Sequence, residues 1–337
     1  MKKYCIKFFI FCICISSYSA SANNASGHWH KFQETIMGTS TIVELFAETN
    51  NAAVHCSQLV FSDMRRIDNL MSPYIEDSEL FKINKLAGTK PVKISPELFT
   101  LIQRSIEFSK LTDGAFDITF ASVGYLYNYR ENKHPSDAQI NTLLKAIDYR
   151  NIVLDPIQQS ISFSNKDTKI DLGGIAKGHA VDKAIEILKS CKIKNALVSA
   201  GGDTRILGDK NGRPWIMGIR HPRDSKKIVA SIPLKDDAIS TSGDYERFFM
   251  QGNKRYHHII QPSTGKSASQ SWSVSVLAKD SLTSDALSTS LFIMATEKAM
   301  RLINSLERTE AIVINNHGKM FYSNGLTSPD LTSPKLH

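Results

Sequence analysis

Apolar residues in this chain recur with two periods, one helical and one extended. Between 52 and 71, Ala53, Cys56, Leu59, Val60, Met64, Ile67 and Leu70 fall three or four apart, which predicts an amphipathic helix ending at Ser72-Pro73-Tyr74. A second helix is predicted from Ser95 as N-cap, with Pro96 and Glu97 behind it; it buries Leu98, Leu101, Ile102 and Ile106 and stops at Asp113-Gly114. A third starts near Ser136 with Ile140, Leu143, Leu144 and Ile147 inward. A fourth follows Gly173-Gly174, with Ala176, Ala180, Val181, Ala184, Ile185 and Leu188 as its stripe. A long one is expected over 285–306, with Leu287, Leu291, Met294, Ala295, Met300 and Leu302 inward.

The extended period marks 35–46 as a strand entered through the turn Met37-Gly38-Thr39. It also predicts a hairpin of 151–154 with 160–164 around Asp155-Pro156. Further strands are expected at 196–200, 215–220, 228–234, 238–242 and 274–278, a hairpin of 245–250 with 254–260, and a closing pair at 311–314 and 319–323. Helices gathered early and strands gathered later argue for an α+β fold, not alternating βαβ units. No repeat or low-complexity linker divides the chain.

The 337 residues suffice for one large domain or two modest ones. A hydrophobic share of 42% with 22% charged residues is that of a globular chain. The first residues differ. Met1-Lys2-Lys3 is basic, 6–15 is apolar apart from Lys7, and Ala20-Ser21-Ala22 precedes polar Asn23 and Asn24. This is the pattern of an export signal over 1–22, too short to span a bilayer as a stable anchor. Phe11 and Ile13 precede Cys12 and Cys14, and neither is small enough for a lipid-attachment site. Loss of Lys2, Lys3 and Lys7 takes the formal charge from +8 to +5, with no polybasic run, so nucleic acid is not an expected partner. Of five cysteines only Cys56 and Cys191 then remain. They either pair in an oxidising compartment or stay as two buried thiols on apolar helical faces. No C-x2-C or H-E-x-x-H pattern is present.

Candidate chemistry centres on 169–182, where an apolar approach ends on Asp171, two glycines follow, and Lys177-Gly178 opens a helix. The glycines at 173, 174 and 178 match neither a P-loop nor a Rossmann fingerprint. Either the helix start holds an anion, or the glycines serve a tight connection. Asp285 and Thr289, four apart, present two oxygens on one helical face. They suit either a partial Mg²⁺ shell or ordinary N-terminal capping. His257 and His258 are consecutive on a strand, so only one faces any given site.

Set in order, these segments resemble the ApbE family of FAD:protein FMN transferases, from Met37 to about Ser323. The marks are Met37-Gly38-Thr39, Ser72-Pro73-Tyr74, Gly114-Ala115-Phe116-Asp117, the stretch from Asp171 to Gly178, and Ser199-Ala200-Gly201-Gly202-Asp203. The series continues with 242–248, then His258-Ile259-Ile260-Gln261-Pro262 running to Thr264-Gly265, and the Asp285/Thr289 helix. The resemblance implies an α+β, ApbE-like (T-fold-like) architecture of mixed or antiparallel sheets with packed helices. It implies a single domain over 23–325, with room for two lobes around one FAD site, and a flexible tail over 326–337. The implied activity is Mg²⁺-dependent transfer of the FMN half of FAD to a Thr or Ser hydroxyl of an exported flavoprotein, releasing AMP. Alternatives are an FAD pyrophosphatase and a non-catalytic periplasmic FAD-binding protein. The implied location is the periplasm, with any inner-membrane association made through the acceptor.

Carried over by motif, Met37, Tyr74, Ala115, Phe116, Asp117, Asp171, Lys177 and Ile260 match FAD contacts. Asp285, Thr289 and the Gly174 carbonyl match the metal ligands, and His258 matches the base. Gln261 stands where the family usually has Asp, Gly174 where Ala or Thr is frequent, and Ser288 where some members are acidic.

Overall fold

The computed structural model describes residues 27–326; the expected export signal and the tail beyond Leu326 lie outside the described residues. Eight strands form the main sheet: β1 (His28–Ile36), β2 (Thr39–Ala47), β3 (Ala196–Ala200), β4 (Asp203–Leu207), β5 (Ala238–Gly243), β6 (Ser271–Ala278), β7 (Glu310–Asn315) and β8 (Met320–Tyr322). Their spatial order is their chain order, and each neighbouring pair is antiparallel. Every long excursion therefore returns to the next free edge. The largest, between β2 and β3, carries α1 (Asn50–Met71), α2 (Pro96–Leu111) and α3 (Ala176–Ser190). Between β6 and β7 come α4 (Ser281–Ile293) and α5 (Thr296–Ser305).

The period of two assigns the faces. Val198, Val274, Val276, Ala311 and Val313 point into the main core with the inner stripes of α1, α3 and α4. Leu197, Leu277 and Ile312 point the other way, against Trp215, Ile219, Ile232 and Leu234 of the hairpin Trp215–His221/Asp224–Leu234. Helices cover one face and a hairpin the other, so the sheet is shielded on both. A small third cluster of Val123, Tyr127, Ile140 and Ile260 lies apart.

Several expectations are corrected. The strand at 35–46 is a hairpin: Met37 (φ 53°) and Gly38 (φ 68°) are consecutive left-handed residues linking β1 to β2, the twist-matched two-residue turn. Alternation over 28–36 is weak because β1 is a half-exposed edge strand. The helix expected at 285–306 is two: α4 begins at Ser281, and the break falls at Met294-Ala295, with Ala295 exposed and Ala299 and Ile303 buried instead. A helix at Glu79–Leu86 and strand β4 were not expected. Of the mixed or antiparallel sheets expected, the described pairings are all antiparallel, and the α+β class stands.

The contact that positions the site is the crossing of α3 and α4. Asp182 of α3 accepts the first N–H groups of α4, Ser281 at 2.8 Å and Leu282 at 2.9 Å. Asp285 of α4 in turn accepts the Gly178 N–H of α3 at 3.0 Å. The helices thus cap each other through acidic side chains, each at the positive end of the other's dipole. A Cβ on Gly178 would stand 2.8 Å from Asp285 Cβ and nearer still to the Ser281 carbonyl, whereas one on Gly174 meets only side-chain atoms, from 3.3 Å. Gly178→Ala is therefore expected to lower stability in urea by about 1–3 kcal/mol, the usual range for overpacking. Gly174→Ala should stay within about 1 kcal/mol of the parent, since its neighbours are side chains that shift by a few tenths of an ångström. Equal losses in the two denaturation curves would remove the crossing as the special constraint.

Candidate functional site

The turn entering α3 is built by side chains. Asn84 clamps the Ile170 backbone, accepting its N–H at 2.8 Å and donating to its carbonyl at 2.9 Å. Asp171 then accepts the Gly173 N–H at 2.7 Å and the Tyr125 hydroxyl at 3.1 Å. Burial raises the Asp171 carboxyl above its ordinary value, against the pull of those two donors and of Arg247 and Lys177. The amides of Ile175 and Ala176 both turn back to Leu172. An anion does sit at this helix start, and it is the protein's own Asp285.

Asp285 lies in the second turn of α4, whose N-cap is Asp280, so it does not cap its own helix. Its Oδ2 is 3.6 Å from Lys177 Nζ, and Asp203 Oδ2 is 2.9 Å from the same ammonium, which also donates to the Gly173 carbonyl at 3.1 Å. Burial, then the Asp203 charge, pushes Asp285 up to about 7, against Lys177 and the Gly178 N–H. Burial disfavours the Lys177 charge, but Asp203 and Asp285 outweigh it and keep the ammonium protonated well above its ordinary range. The result is one cation shared by two buried carboxylates at the meeting of two helix N-termini.

A hydroxyl ladder fixes α4 to β5. Ser240 meets Ser284 at 2.8 Å and Ser242 meets Ser288 at 2.8 Å, with Thr289 Oγ1 3.3 Å from Ser242 Oγ. Two residues of strand and four of helix each advance roughly 6–7 Å, so the rungs match. Ser288 thereby points to the strand. Thr289 is turned towards the glycine turn: a Cβ on Gly174 would lie 3.4 Å from Thr289 Oγ1 and 3.3 Å from Phe116. The fold brings Thr289 to the Gly174 turn, and Asp285 lies one helical turn before Thr289 on α4. Among the described residues no group of three or more His, Cys, Asp or Glu could hold a metal. An ion held here would need hydroxyl and carbonyl oxygens beside the Asp285 carboxylate.

The two histidines separate cleanly. Buried His257 has both ring nitrogens occupied, donating from Nε2 to the Ala268 carbonyl at 2.7 Å and accepting the Ile259 N–H on Nδ1 at 3.3 Å. Half-buried His258 places Nδ1 3.3 Å from the Arg247 carbonyl. A carbonyl only accepts, so Nδ1 carries the proton and Nε2 keeps its lone pair. Burial, then the Arg247 charge, lowers His258 to about 3. It is a neutral imidazole at physiological pH.

Of the remaining candidates, Tyr74 is 78% exposed and feels the charges of Asp171, Arg247 and Arg130, so it stands at the mouth of this site. Met37 is held by its N–H to Asp68 at 3.1 Å. Buried Phe116 packs on Phe108. Half-buried Ala115 precedes it in the same turn. The Asp117 carboxylate is spent on structure, accepting from Thr119 (N–H and hydroxyl) and from the Tyr149 N–H at 2.8 Å. Ile260 is buried in the third cluster. Sequence reading missed Asp203 as Lys177's partner, Asp182 as the reciprocal cap, and Arg247, whose charge reaches Tyr74, Asp171 and His258. Asp203 and Arg247 lie in quoted motifs, but only the fold tells which acid meets which cation.

Two tests follow from these charges. Asp203→Asn removes a counter-charge, so Lys177 should be acylated faster at a given pH than in the parent, read by mass spectrometry; unchanged reactivity would count against the pairing. At position 258 the unfolded chain binds a proton near 6.5 and the folded chain only near 3. Stability contributed there is present above 6.5 and lost as pH falls through that window. His258→Gln should therefore lose less stability than the parent on acidification from pH 7 to 4, measured by urea midpoints.

The model of the ApbE family matches residues 37–313. Curated proteins named FAD:protein FMN transferase are similar over most of their length. One from Klebsiella pneumoniae is 28% identical over 87% of this chain and 92% of its own. One from Treponema pallidum is 30% identical over 83% of both. Among solved structures, the ApbE protein of Thermotoga maritima superposes with a TM-score of 0.82 at 35% identity, covering 88% of this chain and 98% of that one. The flavin transferase ApbE of Vibrio cholerae gives 0.77 at 28%, with the same coverage. Motifs, fold and relatives agree: this chain belongs to the ApbE family.

Proposed function

We propose that this protein transfers the FMN half of FAD to a Thr or Ser hydroxyl of an exported flavoprotein and releases AMP, with Mg²⁺ as the metal. The observation that carries the reading is a charged lysine and an oxygen-only cluster at one glycine turn, with a neutral histidine, its Nε2 lone pair free, near enough to feel the lysine's charge. The relatives' names supply the substrate class.

The chemistry required is displacement at phosphorus. The acceptor hydroxyl gives its proton to His258 Nε2, and its oxygen bonds to the FMN-side phosphorus. The pyrophosphate P–O bond breaks, and AMP leaves with the electron pair. A pKa near 3 makes His258 a weak base in the free protein. Bound phosphates add negative charge beside it and raise its basicity. Lys177 is placed to neutralise the pyrophosphate, its charge held ready by Asp203 and Asp285. Asp285, Thr289 and the Gly174 carbonyl would hold Mg²⁺, which when bound shields the charge of the phosphates. Tyr74 at the mouth offers an aromatic face to the flavin. Export through the 1–22 signal would bring the enzyme to its acceptors in the periplasm.

The test is incubation with FAD, Mg²⁺ and a candidate exported flavoprotein, followed by mass spectrometry of the acceptor for added FMN. AMP released at the same rate without acceptor would make the protein a pyrophosphatase instead. His258→Ala should lower kcat roughly 10²–10⁴-fold. Asp285 caps Gly178 as well, so its removal mixes folding with catalysis, and Thr289→Ala is the cleaner metal variant. It should raise the Mg²⁺ needed for half-maximal transfer while leaving the melting temperature near the parent's.

A further inference from the structure

A cavity of about 1310 Å³ opens between α1, α2 and α3, and its lining includes neither Lys177 nor Asp285 nor His258. Cys56 and Cys191 both line it. Cys56 is buried on the inner stripe of α1, and half-buried Cys191 is the C-cap of α3, packed against the same core. α1 packs directly on α3, and the two thiols are close enough to act on each other. Two thiols facing one cavity from packed helices, and distant in sequence, are placed to bond once their Cα atoms lie within about 7 Å.

We propose that Cys56 and Cys191 are a disulfide-forming pair, a redox modification site that staples the C-terminal end of α3 to α1. The oxidant is a disulfide, protein or small-molecule. The more exposed Cys191, as thiolate, attacks one sulfur of the donor, forming a mixed disulfide and expelling one thiolate. Cys56 then gives its proton to solvent and attacks Cys191 Sγ, which closes the Cys56–Cys191 bond and expels the second thiolate. Two electrons pass from the protein thiols to the donor, which ends as two thiols. Burial, then the neighbouring Cys191 thiol, pushes Cys56 up to about 12. Cys56 is therefore the slow resolving thiol and not the attacking one.

The staple joins the helix that carries Lys177 and Gly178 to the helix whose Asp68 holds the Met37 turn. It restricts the unfolded chain across a long loop and leaves the site's own residues untouched.

The test uses the full chain treated with oxidised glutathione, alkylated, and digested with trypsin without reduction. Cys56 lies on the tryptic peptide 32–65 and Cys191 on 190–192, separate from the peptides of Cys5, Cys12 and Cys14. The expected product is 32–65 joined to 190–192, together with a melting temperature above that of the reduced protein and returned to it by dithiothreitol. Recovery of the two peptides only alkylated, or each carrying glutathione, overturns the proposal. In Cys56→Ser the reaction should stop at glutathione on Cys191; no adduct there would overturn the order of attack.

Discussion

Two helix N-termini meeting head to head would repel, because both carry the positive end of a dipole and unpaired N–H groups. The α3–α4 crossing resolves this by exchange: Asp182 takes the amides of Ser281 and Leu282, and Asp285 takes the amide of Gly178. The exchange demands close approach, and position 178 has no room for a side chain. The site follows from that geometry. Asp285 can reach Lys177 only because α4 lies this near, and Thr289, one turn on, then meets the Gly174 turn.

The same crossing explains why a polar seam runs through an otherwise apolar layer. The face of α4 towards β5 carries Ser284 and Ser288, which answer Ser240 and Ser242. Each hydroxyl has a partner, so burial leaves little unpaired, and short side chains let helix and strand approach closely. The charges follow another logic. Asp203 and Asp285 share one ammonium, so removing Lys177 leaves two buried carboxylates without a counter-charge, whereas removing either acid leaves a matched pair. A cluster so poised responds to any anion or cation that enters.

Much of the fold was legible because its elements obey their periods: the stripes of α1, α2 and α3, the Ser95 and Ser136 caps, and strands β3, β5 and β6 stand where the pattern put them, with Leu59 of α1 the exception, exposed where it was expected inward. The failures have physical causes. The edge strand β1 is only half-buried on its inner face, where it carries His30 and Glu34 beside Phe32 and Ile36, so its polarity shows little alternation. Helices α4 and α5 read as one because the break at Met294-Ala295 contains no glycine or proline. At the site, residue types were legible and partners were not. Asp285 looked like a cap of its own helix or a metal ligand, and it caps a different helix. Asp203, about thirty residues beyond the glycine turn, meets Lys177 only through the return of the chain into β4.

The departure at Gln261 illustrates how the fold can settle a question that a motif raises. If an acid at that position oriented the histidine, glutamine would leave His258 unfixed. Here the Gln261 side-chain amide donates to Ser263 at 3.1 Å, and the Gln261 backbone carbonyl accepts the Thr264 and Gly265 N–H groups to close a turn. His258 takes its orientation from the Arg247 carbonyl, which receives both its backbone N–H and its ring Nδ1 proton. A backbone acceptor is indifferent to the side chain at 261, so the tautomer that leaves Nε2 free does not depend on a carboxylate there. The Gln261 side chain serves the turn, and the hairpin Phe248–Gln251/Lys254–His257, which sets Arg247 against His258, orients the imidazole.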